Sequence, residues 1–320
     1  MARYTNLTVG NLTVDNVISG DIGAVTGGTK FYLDTVNGSD GNDGKLPSRA
    51  FKTLATAYAA LTANKNDILY MLPGASAATI TETIDWSKSY THFIGLAAPT
   101  QVGPRCRVNT TTAMTPMITW SANGCQVRGI QFSNNHSHAT AGAVCFKLTG
   151  ARNNFEFCHF QGLGALGVVD DSHRAIVIES SDAENRFDKC TFGATTVDGV
   201  TATNFVMEFT GAVNTARNQF VECLFLGNGS ANSSFIKADG AGCLSTFQLF
   251  KECLFYNNID GDFDAMTQGF VLTNTPGGYF IFMDCLVFGA ATLETTNSGL
   301  IFVRNAPAAA TGDIAIAATF

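Results

Sequence analysis

Charge is what this sequence has least of: Asp, Glu, Lys and Arg make up 14% of its 320 residues, against roughly a quarter in ordinary soluble domains. Positive charge is scarcest. Nineteen Lys and Arg stand against 26 Asp and Glu, the net charge is -7, and no Lys/Arg cluster occurs along the chain. A surface like that cannot displace counterions from a phosphate backbone, so nucleic acid is not an expected partner. Histidine is limited to five residues and no Cys-x-x-Cys pair exists, so neither a metal nor a cofactor is expected. Runs of eighteen apolar residues are missing too, which excludes a membrane-spanning helix. The first 16 residues alternate polar and apolar and lack the layout of a secretory leader. Nine cysteines is an odd count, and a reducing cytoplasm disfavours a disulfide framework, so the thiols need another role.

What is present is a repeat. Phe, two residues, Cys, one residue, Phe occurs as Phe155, Cys158, Phe160, then as Phe187, Cys190, Phe192, as Phe220, Cys223, Phe225, and as Phe250, Cys253, Phe255. A degenerate copy is Phe282, Cys285, Val287, and a cysteine-free version precedes them at Val127, Ile130, Phe132. Successive cysteines are 32, 33, 30 and 32 residues apart, the length of one structural turn. A second apolar segment recurs between copies, at Val144 to Leu148, Ala175 to Ile178, Phe205 to Phe209, Phe235 to Ile236, Gly269 to Leu272 and Leu300 to Val303.

Each repeat therefore holds two or three short β-segments separated by Gly, Asn, Asp, Ser and Thr, with no helical period between them. Helical solenoids, leucine-rich repeats and four-stranded propeller blades do not fit. An all-β fold does: a right-handed parallel β-helix from about Phe31 to Val303. Alternation breaks between the first Phe and the Cys, so a bend is expected there, at Asp188 and Lys189 or at Val221 and Glu222. Stacked coils would then form internal ladders of Phe on Phe, with Cys as a small apolar filler of the corner. Cys106, Cys125, Cys145 and Cys243 fall outside the pattern.

Upstream, residues 31–74 read as the cap that shields the first rung of a solenoid. A strand over Phe31 to Val36, a turn-rich loop from Asn37 to Gly44, a helix from about Phe51 to Ala63 and a strand over Ile68 to Leu72 are expected. The helix would bury Phe51, Leu54, Ala55, Tyr58 and Leu61. The run FYLDTVNGSDGNDGKLPSRAFKTLATAYAAL, followed by NDILYMLPG, resembles the N-terminal cap of the pectate-lyase-like β-helix superfamily. It departs from that pattern at Ala50, where proline is common. The resemblance implies the fold and leaves function open, since lyases, hydrolases, adhesins and virion proteins share it.

A broader resemblance covers nearly the whole chain. The opening NLTVGNLTVDN, the stretch YTHFIGLAAPT, coils of the NRFDKCTF type and the closing IFVRNAPAAATGDIAIA look like a group of tailed-bacteriophage proteins often encoded near the major capsid protein. This implies a structural virion protein, assembled in the host bacterial cytoplasm: a capsid decoration, cement or head-fibre protein. Its expected partners are the major capsid protein or another virion protein. The alternative is a tail fibre or tailspike that binds or cleaves surface polysaccharide. Three parts follow: an attachment arm at 1–28, the β-helix with its cap at 29–303, and a tail or cap at 304–320. The arm holds a tandem five-residue repeat whose apolar residues Leu7, Val9, Leu12 and Val14 suit strand addition to a shell or self-association, a trimer above all.

No catalytic residue is nominated, although acid-rich stretches exist. Asp170, Asp171, His173, Arg174 and Asp182, Glu184, Arg186, Asp188 contain the carboxylates a glycosidase needs and a base a lyase needs, but they read as solvated turns. Asp260, Asp262 and Asp264 alternate like a calcium loop with its glycine misplaced. Asp40, Asn42 and Asp43 suit Asx turns as well as a cation. His136 and His138 read as loop residues.

Overall fold

The computed structural model describes residues 27–136, 143–163, 173–181, 183–195, 205–229, 231–258, 265–273, 277–294 and 299–303. They form a right-handed parallel β-helix of three long sheets. The arm with Leu7, Val9, Leu12 and Val14 lies outside the described residues, as do 304–320, Asp170, Asp171, Asp182, His138, Asp260, Asp262 and Asp264.

One coil shows how the sequence builds the stack. Asn154–Glu156 runs in a ten-stranded sheet, His159–Leu163 in an eight-stranded sheet and Arg174–Ile178 in a seven-stranded sheet, after which Arg186–Asp188 returns to the first. The pairings among the described strands are parallel, and the first Phe of each coil stays in register: Phe155 sits beside Phe187, Phe187 beside Phe220 and Phe220 beside Phe250. Their rings stack at 4.9, 4.8 and 4.6 Å between centroids, within 8° of parallel. Phe160, Phe192, Phe225 and Phe255 form a second column at 5.2, 4.9 and 4.4 Å. Edge-to-face contacts join the two columns, as between Phe187 and Phe192 at 5.5 Å. Offset stacks of this kind add roughly 0.5 to 1.5 kcal/mol per pair beyond area burial.

The bend between Phe and Cys is one left-handed residue. Phe157, Lys189, Glu222, Glu252 and Asp284, each just before the Cys, have φ of 50 to 54°, and Gly129 takes the same place with φ of 65°. Left-handed backbone costs a non-glycine residue about 1 to 2 kcal/mol. Inter-coil hydrogen bonds offset it: the N–H of Phe157 donates to Asp188, that of Lys189 to Val221 and that of Glu222 to Lys251. After the bend each thiol points inward and donates to a carbonyl of the preceding coil, Cys158 to Val127 at 3.5 Å, Cys190 to Phe155 at 3.4 Å and Cys223 to Phe187 at 3.5 Å. Cys106 belongs to this column too, since it pairs with Ile130, the residue below Cys158. The sequence pattern missed it because Ile130 interrupts the thiols.

Cys125 heads a different column, which the Phe-Cys-Phe pattern did not register. It stacks under Asn153, Asn185, Asn218 and Gln248, each two residues before the first Phe of its coil. The N–H of Cys125 donates to Asn153 Oδ1, that of Asn153 to Asn185 Oδ1 and that of Asn185 to Asn218 Oδ1, each at 2.9 Å. A buried amide ladder thus satisfies the backbone where the chain turns.

The cap is shorter than its periodicity suggests. Its helix α1 spans Leu54–Ala60, with the Thr53 side chain accepting from the Thr56 N–H. Leu54, Ala57 and Leu61 are buried and Ala55 is exposed. Phe51 stands before the helix because its backbone is bridged to Leu33. The carboxylate of Asp40 fixes that entry, accepting from the N–H groups of Lys52 and Thr53 at 3.0 and 2.9 Å and from the Thr53 hydroxyl at 2.9 Å. At the other end Lys88 Nζ donates to the carbonyls of Tyr58, Ala59 and Leu61, a cation on the negative end of the helix. The first strand is Lys30–Leu33 and the next Ile68–Met71. The first ends early because Asp34 Oδ1 accepts from the N–H groups of Val36 and Asn37 and turns the chain.

Candidate functional site

Acidic side chains outside the core are paired with basic groups, Glu184 and Glu208 across neighbouring coils and Asp188 within its own strand. Arg152, Glu184 and Arg217 are stacked left-handed corner residues with φ of 56, 45 and 52°. Glu184 bridges the other two, at 3.0 Å to Arg152 Nε and 2.6 Å to Arg217 Nη2. The hydrogen bond from Arg217 holds its carboxyl below the usual glutamate range, the wrong direction for a general acid. Asp188 pairs with Arg186 at 2.7 Å and Lys189 with Glu222 at 3.7 Å. Arg174 contacts Glu208, a buried carboxylate that also lies 3.8 Å from Lys237. His173, the neighbour of Arg174, is buried.

The cap loop has the same economy. Asn42 Nδ2 donates to the Ala50 carbonyl at 2.9 Å, and Asp43 pairs with Arg49 at 2.9 Å. With Asp40 committed to the helix entry, the loop's donors are turned onto its own backbone. Its hydrogen bonds keep the Asp40 carboxyl below the usual range, against the opposing effect of burial.

An open cleft of about 350 Å³ lies between α1 and the first coil, lined by Thr53, Tyr58, Thr79, Thr81, Glu82 and Asp85 among others. It brings the carboxylates of Glu82 and Asp85, which the sequence does not single out, near the ring of Tyr58, expected only as a helix core position. Much of this wall is already bonded: Tyr58 Oη accepts from the Ser87 N–H at 2.9 Å, Asp85 Oδ1 from the Ser121 hydroxyl at 2.7 Å, and the Thr79 hydroxyl donates to Asn109. Glu82 is exposed.

A long segment lies on the outer face of the eight-stranded sheet. Between His92–Gly95 and Cys106–Thr110 the chain takes residues 96–105 where later coils use one or two. This strap runs along the stack: the Gly103 N–H donates to His159 Nδ1 at 3.1 Å, the Thr191 hydroxyl to the Gln101 carbonyl at 2.9 Å and Gln101 Nε2 to the Glu222 carbonyl at 2.8 Å. His159 Nε2 lies 2.8 Å from the Gly193 carbonyl. The ring must accept at Nδ1, so it is neutral and donates from Nε2. Burial lowers its pKa, against the raising effect of the Gly193 bond.

The thiols are buried, apart from the partly exposed Cys285. Burial pushes Cys125 up to about 11 and Cys145 to about 12, and it raises Cys190 and Cys253 well above the ordinary thiol range. Thiolate chemistry is therefore disfavoured at these positions. Among the described residues no group of three or more His, Cys, Asp or Glu could hold a metal, and no helix is long and apolar enough to cross a membrane.

A scan against protein-family models matches none, and a search of curated proteins finds no relative. Solved structures do share the fold. The chain is similar to pectate lyase Pel9A at 15% identity and a TM-score of 0.56, over 81% of this chain and 63% of that one. It is similar to a rhamnogalacturonan lyase at 15% identity and a TM-score of 0.56, over 82% of this chain and 68% of that one. The Dettilon tailspike protein matches at 13% identity and a TM-score of 0.42, over 78% of this chain and 53% of that one, too distant to bear on function. The chain thus spans less than two thirds of Pel9A, and the likeness establishes a pectate-lyase-like β-helix without an activity.

Proposed function

We propose that this chain is a structural component of a tailed-bacteriophage virion, a capsid-decorating or head-associated body. Residues 1–28 attach it to the major capsid protein or another virion protein, and it works as a homo-oligomer, with a trimer favoured. The observation that carries this reading is the use of the carboxylates outside the core. Glu184 and Glu208 pair with basic groups on neighbouring coils and Asp188 with Arg186 on its own strand, which leaves a rod with ordered ladders inside and paired charges outside.

A second reading, polysaccharide binding or cleavage at a tail, draws on the cleft where Glu82 and Asp85 approach Tyr58. Turnover of a panel of neutral and uronate-containing polysaccharides separates the two. The structural reading expects neither new reducing ends nor unsaturated products. Product that forms with the parent protein and disappears in Glu82→Gln or Asp85→Asn would establish the enzymatic reading instead.

A further inference from the structure

The outer face of the eight-stranded sheet changes character along the axis. In the middle coils its outward residues include His159 and Thr191, both buried under the strap. The strap reaches as far as the Glu222 carbonyl, and there the face turns apolar. Leu224 stacks with Leu254 and Leu286, and Leu226 with Tyr256 and Phe288, in two outward columns. Leu286 is 46% exposed and Tyr256 37%, and the other four are partly exposed. Six contiguous apolar side chains on one sheet face call for a cover.

The path of the chain says which segment arrives there. Leu300–Val303 is the last described strand of the ten-stranded sheet, with Phe302 in register with Phe282. In earlier coils the chain leaves this sheet through a two-residue corner onto the eight-stranded one, as at Phe157 and Cys158. Counting on, Asn305 falls at the place of Cys285 and Pro307 at that of Val287. Leu286 donates its N–H back to the preceding coil, at Cys253. By alternation the next residue's N–H faces forward. A proline at that position has no N–H to offer a further coil, so the sequence does not favour another strand beside the apolar face.

Seventeen residues follow Val303, enough to reach about 55 Å when extended, whereas three coils span only about 10 Å. Their last part alternates: Ile314, Ile316 and Phe320 fall on one side of an extended strand, with Ala315, Ala317 and Thr319 on the other. We infer that residues 313–320 cover the Leu224–Leu254–Leu286 face of their own chain, extending the work of the strap into the final coils. Ile314 and Ile316 pack on the leucine columns, and Phe320 reaches the neighbourhood of Tyr256.

A photo-crosslinker tests this in the full-length protein, with p-benzoylphenylalanine replacing Tyr256. After irradiation and digestion, the expected adduct joins position 256 to a peptide within 308–320, in a species of monomer mass. An adduct to any other segment, a dimer-mass product, or no adduct overturns the inference. Two variants give an independent reading, a chain ended after Thr311 and Ile316→Asp. Each is expected to raise binding of a hydrophobic dye several-fold with the far-ultraviolet circular dichroism unchanged. If both fold and dye binding stays at the parent level, the face is not covered by this segment.

Discussion

At the scale of single residues, position relative to the ladders decides what a side chain is worth. Asn185 is fully buried. It takes a hydrogen bond from the Asn153 N–H and gives one to the Gly150 carbonyl at 3.1 Å. Replacing it with leucine keeps the volume but strands a buried N–H, at about 1 to 3 kcal/mol. Asp188, three residues on in the same coil, makes a surface ion pair with Arg186, a class of contact worth at most about 1 kcal/mol. Chemical denaturation of Asn185→Leu and Asp188→Ala is expected to show the first losing at least twice the stability of the second. Equal losses would mean that the amide ladder adds nothing beyond packing. This ladder was legible in the sequence, since Asn153, Asn185 and Asn218 each precede a repeat Phe by two residues. The Phe-Cys-Phe spacing does not mark it, because the amides lie beside the apolar columns and not within them.

Elements show where sequence periodicity stops informing. The stacked strands and their bends followed from repeat spacing, because every coil poses the same steric problem and solves it alike. The helix did not. Its apolar spacing ran from Phe51 to Leu61, but a tertiary bridge to Leu33 takes Phe51 out of the helix and the Asp40 carboxylate fixes its start. The strap could not be read either, since its partners His159, Thr191 and Glu222 lie 56 to 121 residues away in sequence.

Geometry gives the strap a pH dependence. His159 is neutral in the folded chain with a lowered pKa, while an unfolded histidine titrates near 6.5. Above that pH neither state binds the proton and the full stability is present. As pH falls below about 6.5 the unfolded state protonates first, and stability is lost until the lowered folded pKa is passed. Protonation at Nδ1 also removes the acceptor for the Gly103 N–H. Hydrogen exchange over residues 96–105 is therefore expected to speed up between pH 7 and 5, relative to the intrinsic rate, and His159→Gln should flatten that dependence. A strap equally protected across the range would refute the role given to the ring.

For the whole molecule, the described residues amount to a stiff rod with a capped beginning, charge ladders on its corners and apolar faces at its far end. The acidic stretches, expected as solvated turns, are paired with basic groups where they are described. Glu184, Arg186 and Asp188 serve the stack, whereas the cleft at the cap, with Glu82 and Asp85, gave no sequence signal because its lining joins two segments about 25 residues apart. The fold was legible because it is periodic. A site formed once, where the cap meets the first coil, has no period to betray it.

The most direct test of the structural reading is a density map of the intact virus particle at side-chain resolution. The account predicts the rod on the head, with residues 1–28 and the side chains of Leu7, Val9, Leu12 and Val14 against the capsid lattice. A rod at the tail tip, with its outer faces turned to the host, or a particle that lacks the chain, would contradict it.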